Sequence, residues 1–587
     1  GGAIPFHGTS MGSINNYHAE NTYQVVDNLS LYRGAHILKM GVDLRRYQIN
    51  DFRAPQSIRG EFTFDDRLSG FSYANFLLGY PSFARRTIPR PAVYPRSWQF
   101  GAYFQDDINV SPWLTINLGL RYDLHTPWVE QYDRMFTFDP RTGNLVTAGS
   151  SLPTDLIPEV IESLTVIPAT EAGFPERSLY ESDRNNWSPR VGIAIRPFKD
   201  ATTVIRAGYG LYTQIWPGLM ALRATGGPWE SNQDFILPDE DVASIQFPNP
   251  FTTTSEFSGI QTISGLSSYF PNERTQQWNI SVGRQIWDMA LDVGYVGTRA
   301  MNIPYNEDLN LLPPGAEPFD PARRRFPRFN AVNLTQTGGS SIYHGLNIHV
   351  DRDFANGVAF DVNYTWAKAL TDVDLRSWSA TPQQNQYQRH LEKGDDPNIR
   401  RQQLRFSYIW ELPFGRGRRY GSGLPVWADQ VLGGWQLNGI TTLVTGQLLS
   451  PAFSSTDPAN TNQFGGRPDR VGDGNLDSGS MRDRIKAGLP IFDAGSFAVP
   501  EGGRGWYGNS ARNILTGPGE ALWNIVVAKN WDVANERARL QFRWELFNAF
   551  NRPNFANPST NIESGTFGIV TRAGAARSML FGLRLDY

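Results

Sequence analysis

The regular alternation of apolar and polar residues limits what this chain can fold into more than any other feature. Between Thr115 and His125, every second residue from Ile116 to Leu124 is apolar, and polar or small residues lie between them. Successive side chains of a strand point to opposite faces, so this segment predicts a strand with one apolar and one polar face. The same alternation recurs at 98–105, 403–412 and 539–546.

About fifteen such strands follow one another, most of them about 11 to 14 residues long. Strands of soluble proteins usually have about five or six residues, whereas a tilted membrane-crossing strand needs about nine to eleven. The lengths therefore favour transmembrane strands over a large soluble all-β protein. The predicted strands are 21–33, 35–49, 96–110, 113–126, 188–198, 201–214, 274–287, 289–301, 341–354, 357–370, 400–413, 433–447, 521–533, 537–551 and 576–587.

The connections alternate between short turns and loops of about 24 to 73 residues, if the join around Phe414 counts as short. Outer-membrane barrels have tight periplasmic turns and long extracellular loops. The final strand carries Met579, Phe581 and Tyr587 on one face, and its aromatic end resembles the sorting signal of bacterial outer-membrane barrels. The sequence thus predicts an all-β, antiparallel transmembrane barrel in the bacterial outer membrane, with extracellular long loops and a periplasmic C-terminus.

Composition excludes several other classes. Aromatic residues make up 13% of the chain, too many for a disordered protein. The absence of cysteine excludes a disulfide scaffold, thiolate zinc sites and cysteine catalysis. The net charge of -3 gives no reason to expect a nucleic-acid partner. The mean hydropathy of -0.40 is compatible with a barrel because half of each strand and all the loops face water.

Residue parity predicts which side chains face the lumen and which face lipid. The predicted lumen-facing residues are Arg121, Asp123, Gln403, Arg405, Arg539, Gln541 and Arg543. The predicted lipid-facing residues are Trp98, Phe100, Phe104, Leu118, Tyr408, Trp410, Phe542, Trp544, Phe581 and Tyr587. Tryptophans near strand ends, including Trp113, Trp128 and Trp287, predict aromatic belts at the membrane interfaces.

Several stretches, in preserved order over nearly the whole chain, resemble the barrel of Oar-like TonB-dependent transporters. They include Asn21–Leu29, Leu38–Arg46, Ala74–Gly79, Gly101–Asp107, Leu118–Tyr122, Ser188–Gly192, Arg206–Gly210, Gly433–Gln436 and Phe547–Pro553. Members of that family resemble barrels of about 22 strands that enclose a plug.

The resemblance implies uptake of a small molecule, saccharide or peptide, energised by the TonB system. The sequence shows no plug, TonB-contact segment or N-terminal domain, so we expect residues 1–587 to be the C-terminal part of such a barrel. On this interpretation TonB contacts the missing N-terminal part. The other expected partners are outer-membrane lipid, lipopolysaccharide and, through the last strand, the barrel assembly machinery.

No catalytic constellation is present, and we expect no enzymatic activity and no cofactor. His344 and His349 differ in parity, so they cannot share a metal on one strand. Asp473, Asn475 and Asp477 offer oxygen ligands at alternate positions, which makes a weak calcium candidate without the full EF-hand pattern. The basic run Gly415–Gly421 is interpreted as a solvated turn with no helix after it, and Phe71–Pro81 as one or two helical turns.

Two other functions are compatible with the same sequence features. A passive porin of about sixteen strands would be complete in itself, with Arg59–Asp65 as the additional strand. A surface structural or adhesive protein would use its long loops to bind a surface or a partner cell.

Overall fold

Fifteen long antiparallel strands pair in chain order to form one continuous wall. The computed structural model describes residues 16–53, 58, 60–66, 68–198, 202–236, 246–247, 262–373, 384–476, 481–533 and 538–587. The wall strands are β1 (Tyr17–Arg33), β2 (His36–Phe52), β3 (Pro95–Ser111), β4 (Leu114–His125), β5 (Trp187–Ile195), β6 (Thr203–Gln214), β7 (Glu273–Ile286), β8 (Met289–Asp308), β9 (Ala331–Ala355), β10 (Val358–Thr371), β11 (Gln402–Glu411), β12 (Trp435–Val444), β13 (Glu520–Val533), β14 (Ala538–Phe547) and β15 (Ser578–Asp586).

Each wall strand overlaps a predicted strand, so the prediction from alternation is confirmed. The largest differences lie in two strands: β8 continues to Asp308, and β9 begins at Ala331. A register shift after Met301 interrupts the alternation there, and the sequence pattern therefore fades before the strand ends. Within the described residues, β1 pairs only with β2, and β15 pairs only with β14.

Short elements fill the connections. The helices are α1 (Ser72–Leu78), α2 (Pro158–Ser163), α3 (Ala169–Ala172), α4 (Leu219–Arg223), α5 (Val426–Leu432) and α6 (Met481–Lys486), with 3-10 turns at Gly227–Trp229, Pro321–Arg323, Gln386–Glu392 and Ala494–Ser496. The loop strands are Glu61–Thr63, Phe83–Ile88, Val129–Glu130, Phe136–Asp139, Asn144–Thr147, Val166–Pro168, Ser231–Ile236, Thr262–Leu266, Gly394–Asp395, Leu448–Leu449, Asp469–Arg470, Phe497–Ala498 and Leu515–Thr516. Among the described residues, none of the helices combines the length and apolar character needed to cross a membrane.

Of three predictions about the connections, one is confirmed and two are wrong. The helical turns expected within Phe71–Pro81 are confirmed by α1. The strand expected at Arg59–Asp65 is wrong as a wall strand, because Glu61–Thr63 pairs with Phe83–Ile88 in a separate small sheet. The expectation of no helix after Gly415–Gly421 is also wrong, since α5 begins five residues later and Pro425 provides its extended start.

The two ends of the wall differ in how much structure they carry. One end, the short-turn end, holds the turns after β1, β3, β5, β7, β9, β11 and β13. The other, the long-loop end, holds the remaining connections, which form hydrophobic cores, the first of them together with the start of β9. One core cluster contains Phe136, Phe138, Leu145, Leu156, Ile157, Val160, Val166, Trp229, Ile263, Phe329, Val332 and Leu334.

A second long-loop cluster packs around Met135, Leu179, Trp216, Met220 and Phe270. A third, formed by the loops 445–519 and 548–577, contains Ile485, Ile491, Phe492, Phe497, Leu515 and Phe567.

Candidate functional site

The register keeps two chemically different faces separate across the whole wall. Directly paired residues of antiparallel strands point to the same face. Leu44 pairs with Phe100, which pairs with Leu124, whereas Asp43 lies on the opposite face with Gly101 and Asp123. At the far side of the sheet, Trp544 pairs with Phe581. We call the first side the apolar face and the side of Asp43 and Asp123 the polar face.

The polar face carries ion pairs rather than isolated charges. Asp43 accepts hydrogen bonds from Gln24 at 3.0 Å and from Arg45 at 3.1 Å. Arg121 donates to Asp123 at 2.6 and 2.7 Å and approaches Asp43 at 3.9 Å. Because each carboxylate has a cationic or amide partner, this part of the face is polar and locally charge-balanced.

A second group of paired charges lies nearer the short-turn end. Asp107 contacts Lys39 at 2.8 Å and accepts from Gln105 at 2.8 Å and from Asn117 at 2.6 Å. These side chains come from β2, β3 and β4, so the polar face is cross-linked between strands as well as along them.

The predicted lumen-facing residues all lie on the polar face. Besides Arg121 and Asp123, Gln541 donates to Asn530 at 2.8 Å and Arg543 pairs with Glu545 at 2.9 Å. The register of their strands places the remaining members of this set on the same face: Gln403, Arg405 and Arg539. Their exposure to a water-filled lumen stays a prediction.

The predicted lipid-facing residues lie on the apolar face, and many of them are exposed. Phe100, Leu118 and Phe581 are 45%, 47% and 64% exposed. The others that share this face are Trp98, Phe104, Tyr408, Trp410, Phe542 and Trp544, while Tyr587 follows β15 with the same parity. Contact of this face with lipid stays a prediction. The belt assignment of Trp128 is wrong, since Trp128 is buried against Ile49 and Ala221 beneath a loop.

A hollow in the wall brings apolar and acidic groups together. It has a volume of about 690 Å³ and is lined mostly by polar-face residues. Ile409 and Ile440 contribute exposed aliphatic surface, and Asp361 and Glu545 contribute carboxylates. This combination can hold a solute part that is apolar or cationic.

Buried ion pairs join the loops at the long-loop end. Arg467 forms a bidentate pair with Glu392, with N–O distances of 2.9 and 3.0 Å, and both side chains are largely buried. The Arg467 Nε also donates to the Ser510 carbonyl at 2.9 Å. The pair fixes the loop 372–401 to the loop 445–519, because a buried charge without its partner would be costly.

Other contacts in this loop assembly set the protonation state of two of its side chains. Arg504 donates two hydrogen bonds to the Asp469 carboxylate, one of them at 2.9 Å. They hold the pKa of that carboxyl below its usual range. Burial raises the pKa of Tyr507 to about 12, and its hydroxyl donates to Gln463 at 3.0 Å. At neutral pH, Asp469 is therefore ionised and Tyr507 is protonated.

Strand β9 carries two histidines on opposite faces of the wall. His344 contacts Tyr295 at 2.7 Å on the apolar face, and His349 contacts Asp361 at 2.7 Å on the polar face, which confirms that they face opposite sides. Within the described part of the chain, no group of three or more His, Cys, Asp or Glu side chains could hold a metal ion.

Of the calcium candidates, Asp477 lies outside the described residues. Asp473 accepts from Asn475, and Asn475 Oδ1 accepts from the Thr516 amide at 2.8 Å. The calcium site stays a prediction.

One buried cluster was not predicted from the sequence. The Asp51 side chain is fully buried and pairs with Arg90, and it also contacts His18 at 2.8 Å. Parity alone would place Asp51 on the polar face with Asp43. Its partner Arg90 belongs to a loop, and no periodicity in the sequence connects the two residues.

Comparison with known proteins gives a family and a fold. A family model described as an outer membrane beta barrel domain matches residues 3–579. No curated protein matches the chain. Among solved structures, the outer membrane transporter YddB from Escherichia coli matches with a TM-score of 0.50 at 9% identity, over 97% of this chain and 54% of that chain.

Two further structures match less well. The FrpB iron transporter from Neisseria meningitidis has a TM-score of 0.42 at 12% identity, over 97% of this chain and 55% of that one. The ferripyoverdine receptor of Pseudomonas aeruginosa has a TM-score of 0.43 at 9% identity, over 96% and 48%. The chain thus spans about half the length of these proteins.

Proposed function

Because this chain belongs to the family of outer membrane beta-barrel domains, we propose that it forms the wall and ligand-capture loops of a TonB-dependent transporter. The observation that carries the proposal is the continuous polar face, which runs through all fifteen strands beneath loops that have their own cores. Such a face suits the passage of a hydrophilic solute, and ordered loops can capture it first. The motifs that resemble Oar-like transporters support placement in that subgroup.

In the proposed orientation, the long-loop end faces the cell exterior and the short-turn end faces the periplasm. The apolar face contacts outer-membrane lipid. The polar face surrounds the route of the solute, and the loop contacts such as Glu392–Arg467 hold the capture surface in place. The contact with TonB, the contact of β15 with the assembly machinery and the absence of catalysis belong to this proposal.

Uptake by whole cells tests the proposal. We compare the accumulation of labelled ferric chelates, oligosaccharides and peptides in three kinds of cells. They are cells that make the protein, cells that lack its gene and cells that lack TonB. We expect at least one compound whose accumulation requires both the gene and TonB. Accumulation that requires the gene but not TonB would support a passive porin instead. Surface binding without accumulation would support an adhesive role.

A further inference from the structure

The turn between β11 and β12 carries an exposed apolar helix. Four residues of α5 point away from the protein: Val426, Trp427, Val431 and Leu432 are 59%, 74%, 62% and 53% exposed. Only Ala428 of this helix is buried. Large apolar side chains clustered on one short helix are costly in water, so this surface calls for a partner.

Hydrogen bonds fix α5 against the apolar face of the wall. Trp531 Nε1 donates to the Gln430 carbonyl at 3.0 Å, and Trp531 pairs with Leu540 on the apolar face. Trp435 Nε1 donates to the Val431 carbonyl at 2.8 Å. The helix therefore lies on the same side of the wall as the exposed aromatic residues, at the short-turn end, and extends that apolar surface.

A buried lysine strengthens this attachment. The Lys529 ammonium donates to the Gly433 carbonyl at the end of α5. It lies 5.9 Å from the ring of Trp435 and 5.3 Å from the ring of Trp531. A cation at a helix C-terminus and over aromatic rings is stabilised by both interactions. The position of α5 is thus defined by three side chains of the wall.

The basic turn before α5 supplies positive charge at the same place. Arg416, Arg418 and Arg419 are all exposed. Arg418 pairs with Glu411 at 2.9 Å. Residues 412–434 contain these three arginines and a single acidic residue, Asp429, which accepts a hydrogen bond from the Arg416 amide. The apolar helix and the excess of positive charge together fit a membrane surface, whose acyl chains are apolar and whose headgroups are anionic.

We propose that residues 413–434 form an interfacial anchor in the membrane leaflet at the short-turn end, where α5 enters the acyl boundary and the arginines bind anionic phospholipid headgroups. The proposal rests on the proposed function, since it requires the apolar face to contact lipid. It is favoured over a protein partner because the apolar surface of α5 is continuous with the exposed apolar face of β11 to β15.

The chain contains no cysteine, so a single introduced cysteine gives an unambiguous label position. The full chain is placed in lipid nanodiscs with an environment-sensitive fluorophore at Val431→Cys, Leu120→Cys or Ile440→Cys. Leu120 lies on the apolar face and Ile440 on the polar face. Nitroxide-bearing phospholipids then quench fluorophores that contact lipid. We expect quenching at positions 431 and 120 and none at position 440.

Lipid charge tests the role of the arginines. The label at position 431 is compared in phosphatidylcholine alone and in a mixture with phosphatidylglycerol, with and without R416Q/R418Q/R419Q. We expect stronger quenching in the anionic mixture. The triple variant should lose this increase in quenching, because the arginines make the contact with anionic headgroups. The matched control R323Q/R324Q/R325Q, in the loop 309–330, should change nothing.

The outcomes separate the two proposals. Quenching at position 120 but not at 431 would overturn the anchor and leave the transporter proposal intact. Absence of quenching at both positions would contradict the lipid-facing wall itself. Equal quenching at 431 in both lipid compositions, unchanged by the triple variant, would overturn the assignment of anionic headgroups.

Discussion

A charged side chain has opposite consequences on the two faces of this wall. On the polar face, Arg121 has Asp123 and Asp43 within reach. On the apolar face, Leu118 is surrounded by register neighbours such as Val191, and its side chain is 47% exposed. Because a charge in the membrane interior is poorly solvated, the same substitution should be tolerated on one face and harmful on the other.

Two arginine substitutions test this difference. Leu118→Arg should lower the free energy of unfolding by about 2–4 kcal/mol if it lies near the midplane of the bilayer. Gln541→Arg, on the polar face, should cost little. Urea unfolding of both variants in lipid vesicles measures the two values. Equal destabilisation would contradict the assignment of the faces.

Parity predicted the face of a wall residue but not its partners. Arg121 and Asp123 are two positions apart on one strand, so their shared face followed directly from the sequence. The partner of Asp51 could not be predicted, because Arg90 approaches it from a loop whose path depends on tertiary packing. The calcium candidates show the same limit, since alternate oxygens do not reveal which hydrogen bonds already occupy them.

At the level of elements, tight turns rather than strands demand particular residues. The turn between β9 and β10 places Asn356 at φ 53° and Gly357 at φ 82°, both in the left-handed region. A Cβ at position 357 would lie 3.3 Å from the Glu411 carbonyl oxygen. Glycine is therefore required here both for its backbone conformation and for the close approach of β11.

Gly357→Ala should destabilise the protein by about 1–2 kcal/mol, because the left-handed conformation is unfavourable for alanine. Gly582→Ala in β15 is the matched control, since a Cβ there meets no atom within 4 Å. Thermal unfolding in detergent compares the two. A loss at position 582 as large as that at 357 would refute the requirement for glycine in the turn.

A buried ion pair contributes to the join between the loops, beside hydrogen bonds such as the one from Asn513 Nδ2 to the Asp395 carbonyl at 2.6 Å. Glu392→Gln removes the negative charge and leaves the Arg467 guanidinium, 12% exposed, without its counter-ion. Breaking a buried pair costs about 3–5 kcal/mol. We expect faster hydrogen exchange in the loops 372–401 and 445–519, with little change in the wall.

The control for this prediction is Glu317→Gln, which breaks the exposed pair with Arg323. An exposed ion pair contributes about 0–1 kcal/mol, so this variant should exchange like the original protein. Similar exchange in the two variants would show that the buried pair stabilises the loops no more than an exposed pair does.

The sequence pattern predicted the boundaries of elements where the alternation was regular. It did not predict them where the alternation was interrupted. The wall strands followed from period two, whereas the continuation of β8 beyond Met301 was missed because a bulge shifts the parity. The helix α5 was missed because one short helix carries too few residues to show a period.

In the molecule as a whole, the loop cores pack largely apart from the wall, although Val332 and Leu334 at the start of β9 belong to the first cluster. Phe138 is 1% exposed and contacts the rings of Phe326 and Phe329 at centroid distances of 4.7 and 5.8 Å. In the third cluster, Phe492 is 2% exposed and contacts the ring of Phe567 at a centroid distance of 5.9 Å. The third cluster includes no residue of a wall strand and shares none with the first, so the stabilities of the two clusters should be separable from each other.

Phe138→Ala should remove about 3–5 kcal/mol from the first loop cluster, since it leaves a cavity in a closed core. Hydrogen exchange should accelerate in the loops 126–186 and 309–330 and at the start of β9, where Val332 and Leu334 join this cluster, while the rest of the wall and the third cluster keep their protection. Phe492→Ala should give the converse pattern, with acceleration in 445–519 and 548–577. Acceleration throughout the molecule in either variant would show that the loops and wall unfold as one unit.

The division of the long loops into clusters with their own cores also affects how such a protein can diversify. Substitutions that reshape the surface around Phe492 need not be compensated by changes around Phe138, because the two cores share no residue. New loop surfaces can therefore arise by exchange of one loop group at a time, with most of the wall kept unchanged.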